Sequence, residues 1–307
     1  MRGEGVAAGP PARLALQIVQ AQGATSGVDP LIAHLVEGQT ELASDAPSGR
    51  DTLVAALAEA DQRTGIDDDA YPAALSLAHW AIEHHQFDIA RNAWNSAGRH
   101  AGGAMIDPDL ARANAQIGVA ATFIVEGGDA NLNSAEPILS DVMQRIGPAA
   151  GQDSPDHAIT EAQRTYAQAT AWWGTREALL GTRARAANSS NPQNRPADIS
   201  HSEFCTVTWE GVQHTVSSRY YPQRALEHGQ QGVVVVRVIF ADNGTVVRGD
   251  VVAAAPDQVF NQSAISVATT GRIRRADGQP STCVLPHVLF KVINFVGAAS
   301  GHGGQTW

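Results

Sequence analysis

The chain has 307 residues, of which 43% are hydrophobic and 17% charged, and a formal net charge of -10. Such a length and composition exclude a disordered or fibrous chain and leave room for about two domains with substantial cores. The charge is unevenly placed: residues 1–198 carry 24 acidic and 13 basic side chains, whereas residues 199–307 carry 7 and 8, so the acidic front half lacks the clustered Lys and Arg that bind phosphate backbones and nucleic acid is not an expected partner.

Residues 1–49 read as a flexible or helical N-terminal segment. Arg13 precedes a small apolar patch, but Gln17, Gln20 and Gln22 interrupt what would be the apolar core of a secretion signal. No stretch of the chain reaches the ~20 apolar residues of a membrane-spanning helix, and the most apolar run, residues 233–240, is short enough to be a strand. Residues 50–182 are rich in Ala, Leu and Glu with apolar residues three and four apart, the period of amphipathic helices. Interruptions at 67–69, 102–103, 127–128 and 147–155 divide them into helices joined by short loops.

Within this region Leu77, Ala78, Ala81, Ala90, Trp94 and Ala97 alternate small and large residues, with His84, His85, Gln86, Phe87 and Asp88 at the turn between two helices. The pattern resembles a tetratricopeptide repeat. A weaker second copy starts at Ile117 and Gly118, with Ala121, Ala135 and Leu139. A third pair containing Tyr166, Trp172 and Trp173 is too irregular to place in register. The expected N-terminal domain is therefore all-α and repeat-like, over residues 50–182, followed at 183–200 by a linker rich in Asn, Ser and Pro.

After residue 200 the period changes. Residues 204–209 and 212–216 flank Glu210 and Gly211, a short hairpin signal. Residues 221–229 read as a short helix with Pro222 near its first turn and Gly229 at its end. Gly232 opens the apolar strand, Asn243 and Gly244 turn the chain back into an antiparallel partner over 245–253, and Pro256 and Asp257 lead a helix carrying Phe260, Ala264, Val267 and Ala268 on one side. Residues 284–295 supply the last strand, and 297–307 form a Gly-rich tail. The fold class expected is α+β multidomain: an all-α repeat-like domain, then at 201–296 a small antiparallel sheet with two helices on one face.

Catalytic and metal chemistry find little support. His79, His84, His85 and His100 crowd one region without the His-to-His spacing and intervening carboxylate of a zinc hydrolase. Asp129, Asn131 and Asn133 copy the first ligand positions of a calcium loop, but Ser134 stands where a sharp turn needs Gly and Ser140 where the bidentate Glu belongs. Nucleophile-elbow, phosphate-loop and dinucleotide fingerprints are absent from the sequence. We therefore expect no catalytic residues, metal or cofactor. From their spacing alone, Cys205 and Cys283 are either a disulfide or two buried thiols.

Tyr221, Pro222, Ala225, Gly232, Asp242, Asn243, Gly244, Phe260, Ala264 and Phe290 occur in an order that resembles the C-terminal domain of the TonB family, over residues 221–296. The chain departs from that pattern after the second helix, where the family's Trp, Arg, aromatic and Pro corner is replaced by Gly271, Arg272, Ile273 and Arg275. The resemblance implies a non-enzymatic, periplasmic energy-transducing module that pairs its sheet edge with a peptide segment of an outer-membrane transporter or another envelope protein. It also favours a disulfide between Cys205 and Cys283. By position the edge is Val288, Leu289, Phe290, Lys291, Val292 and Ile293, with strand addition as the binding mode. The alternative occupants of that edge are the hairpin at 204–216 or a second copy of the domain in a homodimer. The family's membrane helix and Pro-rich linker are not in this sequence, so the expectation is either tethering through an upstream segment or a soluble relative. The alternative function is a periplasmic scaffold or secretion-associated adaptor whose helical repeat performs the recognition.

Overall fold

The computed structural model describes residues 29–44, 46–147, 158–185, 205, 207–210, 220–228, 230–276, 278, 283 and 285–295. The chain forms two compact units, residues 1–126 and 127–307. The division falls at Gly127 and Gly128, both with positive φ, so the helical region read at 50–182 contributes to both units. The second of the two expected repeats draws one helix from each.

The first unit is built of α1 (Pro30–Ala43), α2 (Pro47–Ala60), α3 (Asp67–Glu83), α4 (Phe87–Arg99) and α5 (Pro108–Glu126). Asp29 begins α1, accepting a hydrogen bond from Leu31 N at 2.9 Å, with Pro30 in the first turn. The three aspartates at 67–69, expected as an interruption, instead form the first turn of α3, where negative charge complements the helix dipole. α1 packs on α2, α3 on α4, and α4 on α5. Leu77, Ala78, Ala81, Ala90, Trp94 and Ala97 are all buried between these helices. The small side chains allow close approach, and the Trp94 indole fills the gap against Gly118, where an added Cβ would lie 2.3 Å from the ring. At the helix ends, His100 sits between two carboxylates, Nδ1 being 2.8 Å from Asp67 Oδ1. Asp61 accepts from Ser96 Oγ at 2.8 Å and from Arg99.

The second unit contains α6 (Asp129–Ile146), α7 (Glu161–Arg185), β1 (Val207–Glu210), α8 (Gln223–Glu227), β2 (Gly232–Phe240), β3 (Val246–Ala255), α9 (Asn261–Thr269), β4 (Arg272–Arg275) and β5 (Val288–Phe295). β2 is central in an antiparallel sheet of order β3-β2-β5, and every one of its residues is buried. Alternate side chains of β2 therefore need cover on both faces. Val234, Val236, Val238 and Phe240 face a core made by Tyr221, Ala225, Phe260, Ala264, Val267, Ala268 and Ile273. The opposite face, Val235 with Val252, Ala253 and Ala255, is covered by Ala167 and Ala171 of α7, with Ile159 and Trp172 packed beside them.

Helix α7 is thus part of the β-containing unit, although it lies well upstream of it in sequence. It is fixed by more than apolar contact: Gln168 Nε2 donates to Ala254 O at 3.4 Å and Thr175 Oγ1 to Ala255 O at 3.0 Å. α6 joins α7 through buried Arg176, whose Nε donates to Leu132 O at 2.7 Å and whose guanidinium also reaches Glu136 and Glu177. The charged partners matter because an unpaired buried guanidinium would cost several kcal/mol.

Cys205 and Cys283 are joined by a disulfide with Cα atoms 5.1 Å apart. It links the segment before β1 to the segment before β5. The strand expected to form a hairpin over 204–216 and lie beside the final strand pairs instead with β4, Val207 to Glu210 running against Arg275 to Arg272. Residues 212–216 lie outside the described residues.

Two outcomes follow from this packing. A fragment spanning 201–307 lacks α7 and exposes Val235 and Val252, each contributing roughly 1.5–3 kcal/mol when buried. In urea titrations it should be at least about 3 kcal/mol less stable than a fragment spanning 127–307, and it should bind a hydrophobic dye that the longer fragment excludes. Equal stability of the two fragments would show that α7 is dispensable. The double variant Cys205→Ser, Cys283→Ser should lose about 4 kcal/mol, the chain-entropy value for a loop of this length, and should match the reduced wild type in the same titration.

Candidate partner-binding edge

Tyr221, Gly232 and Phe260 of the expected motif surround one end of the sheet. Tyr221 is buried, its ring edge-on to Phe260 and Phe295 at 5.5 and 5.8 Å between centroids, and Phe260 stacks on Phe295 at 4.6 Å. The Tyr221 hydroxyl donates to Gln230 O and lies 3.3 Å from Phe295 O, tying the entry to β2 and the end of β5 to one phenol. Pro222 stands at the N-terminal end of α8, and Ala225 and Ala264 are buried in the same core. A Cβ on Gly232 would come within 2.6 Å of both Ala255 O and the Phe260 ring, so the residue opening β2 has no room for a side chain.

At the other end of β2, Asn243 Oδ1 accepts from Thr245 N at 3.0 Å and Thr245 Oγ1 at 2.6 Å. Gly244 takes φ of +78° and its carbonyl accepts from Ile273 N at 2.8 Å. The turn therefore also anchors β4, a strand that the sequence reading missed because Arg272, Ile273, Arg274 and Arg275 follow directly on a helix. Glu210 of β1 holds Arg272 at 2.7 Å and Arg274 at 2.9 Å. The Arg272 hydrogen bond, above all, keeps its carboxyl below the ordinary glutamate range.

Gly271 and Trp209 meet at this corner: an added Cβ on Gly271 would lie 2.2 Å from Trp209 Nε1. The family pattern places a Trp where this chain has Gly271. An indole is nonetheless present at that corner, supplied by β1, and its ring also lies edge-on to Phe240 at 5.4 Å.

The six residues read as the edge, Val288 to Ile293, all belong to β5 and pair with β2 in unbroken register from Ile239 opposite Val288 to Val234 opposite Ile293. Phe240 N donates to His287 O at 2.8 Å. In an antiparallel pair, hydrogen-bonded and non-bonded positions alternate. Leu289, Lys291 and Ile293 therefore turn their backbone groups toward β2, and Val288, Phe290 and Val292 turn theirs outward. The side chains divide the same way: Leu289, Ile293 and Phe295 join the core with α8 and α9, whereas Phe290 and Val292 pack in the cluster with α7.

The two edges of the sheet differ. β3 has register irregularities at Val235/Val236 and at Ile239/Phe240, leaves Val247 66% exposed, and carries Arg248 and Asp250. Arg248, above all, holds the Asp250 carboxyl below the usual aspartate range, against partial burial, with Arg237 adding at 3.2 Å. Bulges and charges of this kind protect an edge, and α7 donors occupy the Ala254 and Ala255 carbonyls near its end. β5 has no such irregularity, and among the described residues no strand pairs with its outer side.

The other sequence candidates are placed away from this edge. His79 is edge-on to Trp94, His84 stacks on Trp80, and His85 lies against Phe87. Asp129, Asn131 and Asn133 lie in α6 rather than a loop, with Asn131 Nδ2 donating to Gly127 O at 2.8 Å. Among the described residues, no three His, Cys, Asp or Glu side chains gather as a metal site, and no helix is long and apolar enough to cross a membrane.

Residues 217–291 match the family described as Gram-negative bacterial TonB protein C-terminal. No curated protein and no solved structure matches the chain. With Tyr221, Gly232, the Asn243 and Gly244 turn, Phe260 and Ala264 each holding the small sheet together, the segment from 217 to 291 is a TonB-type C-terminal domain.

Proposed function

We propose that this protein is a TonB-like module of the periplasm that binds a peptide segment of an envelope protein by adding it as a further strand to β5, within energy-coupled transport across the outer membrane. The TonB C-terminal family is one of non-enzymatic protein-interaction domains associated with the cell envelope. The observation that carries the reading is the asymmetry of the sheet: β3 is bulged, charged and met by α7 donors, while β5 presents outward backbone groups of Val288, Phe290 and Val292 in a regular ladder. Unpaired N–H and C=O groups in such a row are a template for an incoming strand. The disulfide between Cys205 and Cys283 supports an oxidising compartment such as the periplasm.

A backbone test distinguishes edge pairing from side-chain recognition. Phe290→Pro removes a donor that points away from β2 and leaves the β2 ladder its own bonds, and Phe290→Ala controls for the lost ring. With the full chain immobilised and an envelope fraction passed over it, the Pro variant should lose the captured partner and the Ala variant should keep it, both melting cooperatively. Equal capture by wild type and the Pro variant would remove the β5 edge as the binding site.

A further inference from the structure

β5 carries one charged residue, Lys291, and the structure places it on the core side of the strand. Its residue exposure is 9%, between Leu289 and Ile293 on the same face. Its Nζ lies 5.6 Å from the centre of the Trp209 ring, a cation–π distance. Among the described residues, no carboxylate or carbonyl pairs with it. Trp209 Nε1 is itself buried, with no acceptor among the described residues. The open side of the edge thus holds a lysine that is 9% exposed and whose ammonium no acceptor among the described residues takes up.

We propose that Lys291 selects the partner: the strand that adds to β5 carries an Asp or Glu side chain opposite Lys291. This rests on the strand addition proposed above and goes beyond it by naming the chemistry recognised. Lys291 turns its backbone groups toward β2, so in an added antiparallel strand the residue facing it occupies a non-hydrogen-bonded position. Side chains come closest there, with Cα atoms about 4.5 Å apart. An incoming strand removes the remaining water from the ammonium. A neutral side chain opposite would leave a buried charge without a partner, which is costly. A carboxylate opposite forms a charge-assisted hydrogen bond, and opposite charges directly across two strands are favourable. The indole face behind the ammonium fixes its position and gives it no competing anion. Lys291 therefore acts in both directions, guarding the edge against indiscriminate strands, as inward-pointing charges do, and admitting an acidic one.

The probe is a phage-displayed library of random octapeptides, selected on the immobilised full chain as wild type, Lys291→Met and Lys291→Glu. Met keeps the length of the stem and lacks the charge, so it serves even if the Glu variant does not fold; circular dichroism and melting monitor both. Wild type should enrich extended sequences with alternating apolar residues and an acid at one fixed position. Lys291→Met should keep the apolar alternation and lose the acid, and a folded Lys291→Glu should replace the acid by Lys or Arg. In synthetic peptides from the wild-type selection, changing that acid to its amide should weaken binding to wild type about tenfold or more and leave binding to Lys291→Met unchanged. An acidic preference that persists in the Met variant, or strand-like peptides enriched by wild type with no acidic position, would overturn the selection by Lys291 while leaving strand addition in place. No extended peptide enriched by any of the proteins would overturn both.

Discussion

Complete burial of β2 is the constraint on which the C-terminal unit depends. Gly232 to Phe240 includes Val at positions 233 to 236 and again at 238, so neither face of the strand tolerates water. An isolated small sheet with helices on one side leaves the other side bare. Here the second layer comes from α7, whose Ala167 and Ala171 lie flat on the sheet and whose Gln168 and Thr175 donate to the last carbonyls of β3. With both faces covered and the β3 edge protected, the outer side of β5 is the side of the sheet with no strand partner among the described residues. The path from a valine-rich strand to a candidate interface is thus a matter of which surfaces the fold has already used.

The order of elements from Tyr221 to Phe295 was legible because its signals are local. The alternation of 233–240, the Asn243 and Gly244 turn and the apolar side of the helix at Phe260 and Ala264 each belong to a few consecutive residues. α7 was legible as a helix, with Tyr166, Trp172 and Trp173 marking it, but not as the second layer of the sheet. Its contact side is made of Ala167, Ala171, Gly174 and Thr175, small residues that carry almost no hydrophobic signal and are selected by how closely a Val-lined sheet approaches; a Cβ on Gly174 would lie 3.0 Å from Val233. That information is spread over about 60 residues of intervening chain, and no window of helical period contains it. The compact units accordingly divide at Gly127 rather than at the Asn- and Pro-rich segment after α7.

The same distinction explains the corner around Gly271. In sequence, the loss of the family's Trp and Pro looks like the loss of a structural feature. In space, Trp209 of β1 lies against Gly271 and Phe240, the short β1–β4 ladder is held by Glu210 with Arg272 and Arg274, and the disulfide ties the segment before β1 to the one before β5. Adding β1 to the domain brings an indole over Lys291. The residue type at 291 was visible in the sequence as a charge on the edge strand. Its near burial was not, because it depends on a tryptophan some 80 positions earlier.

The central claim, an open β5 edge on a sheet covered on both faces, is most directly tested by amide hydrogen exchange at single-residue resolution on the full chain without any partner. Exchange should alternate along β5: slow at Leu289, Lys291 and Ile293, whose N–H groups bond to β2, and fast at Val288, Phe290 and Val292, whose N–H groups point outward. Protection of similar strength at all six positions would show that the edge is already paired and that β5 is not open to a partner strand.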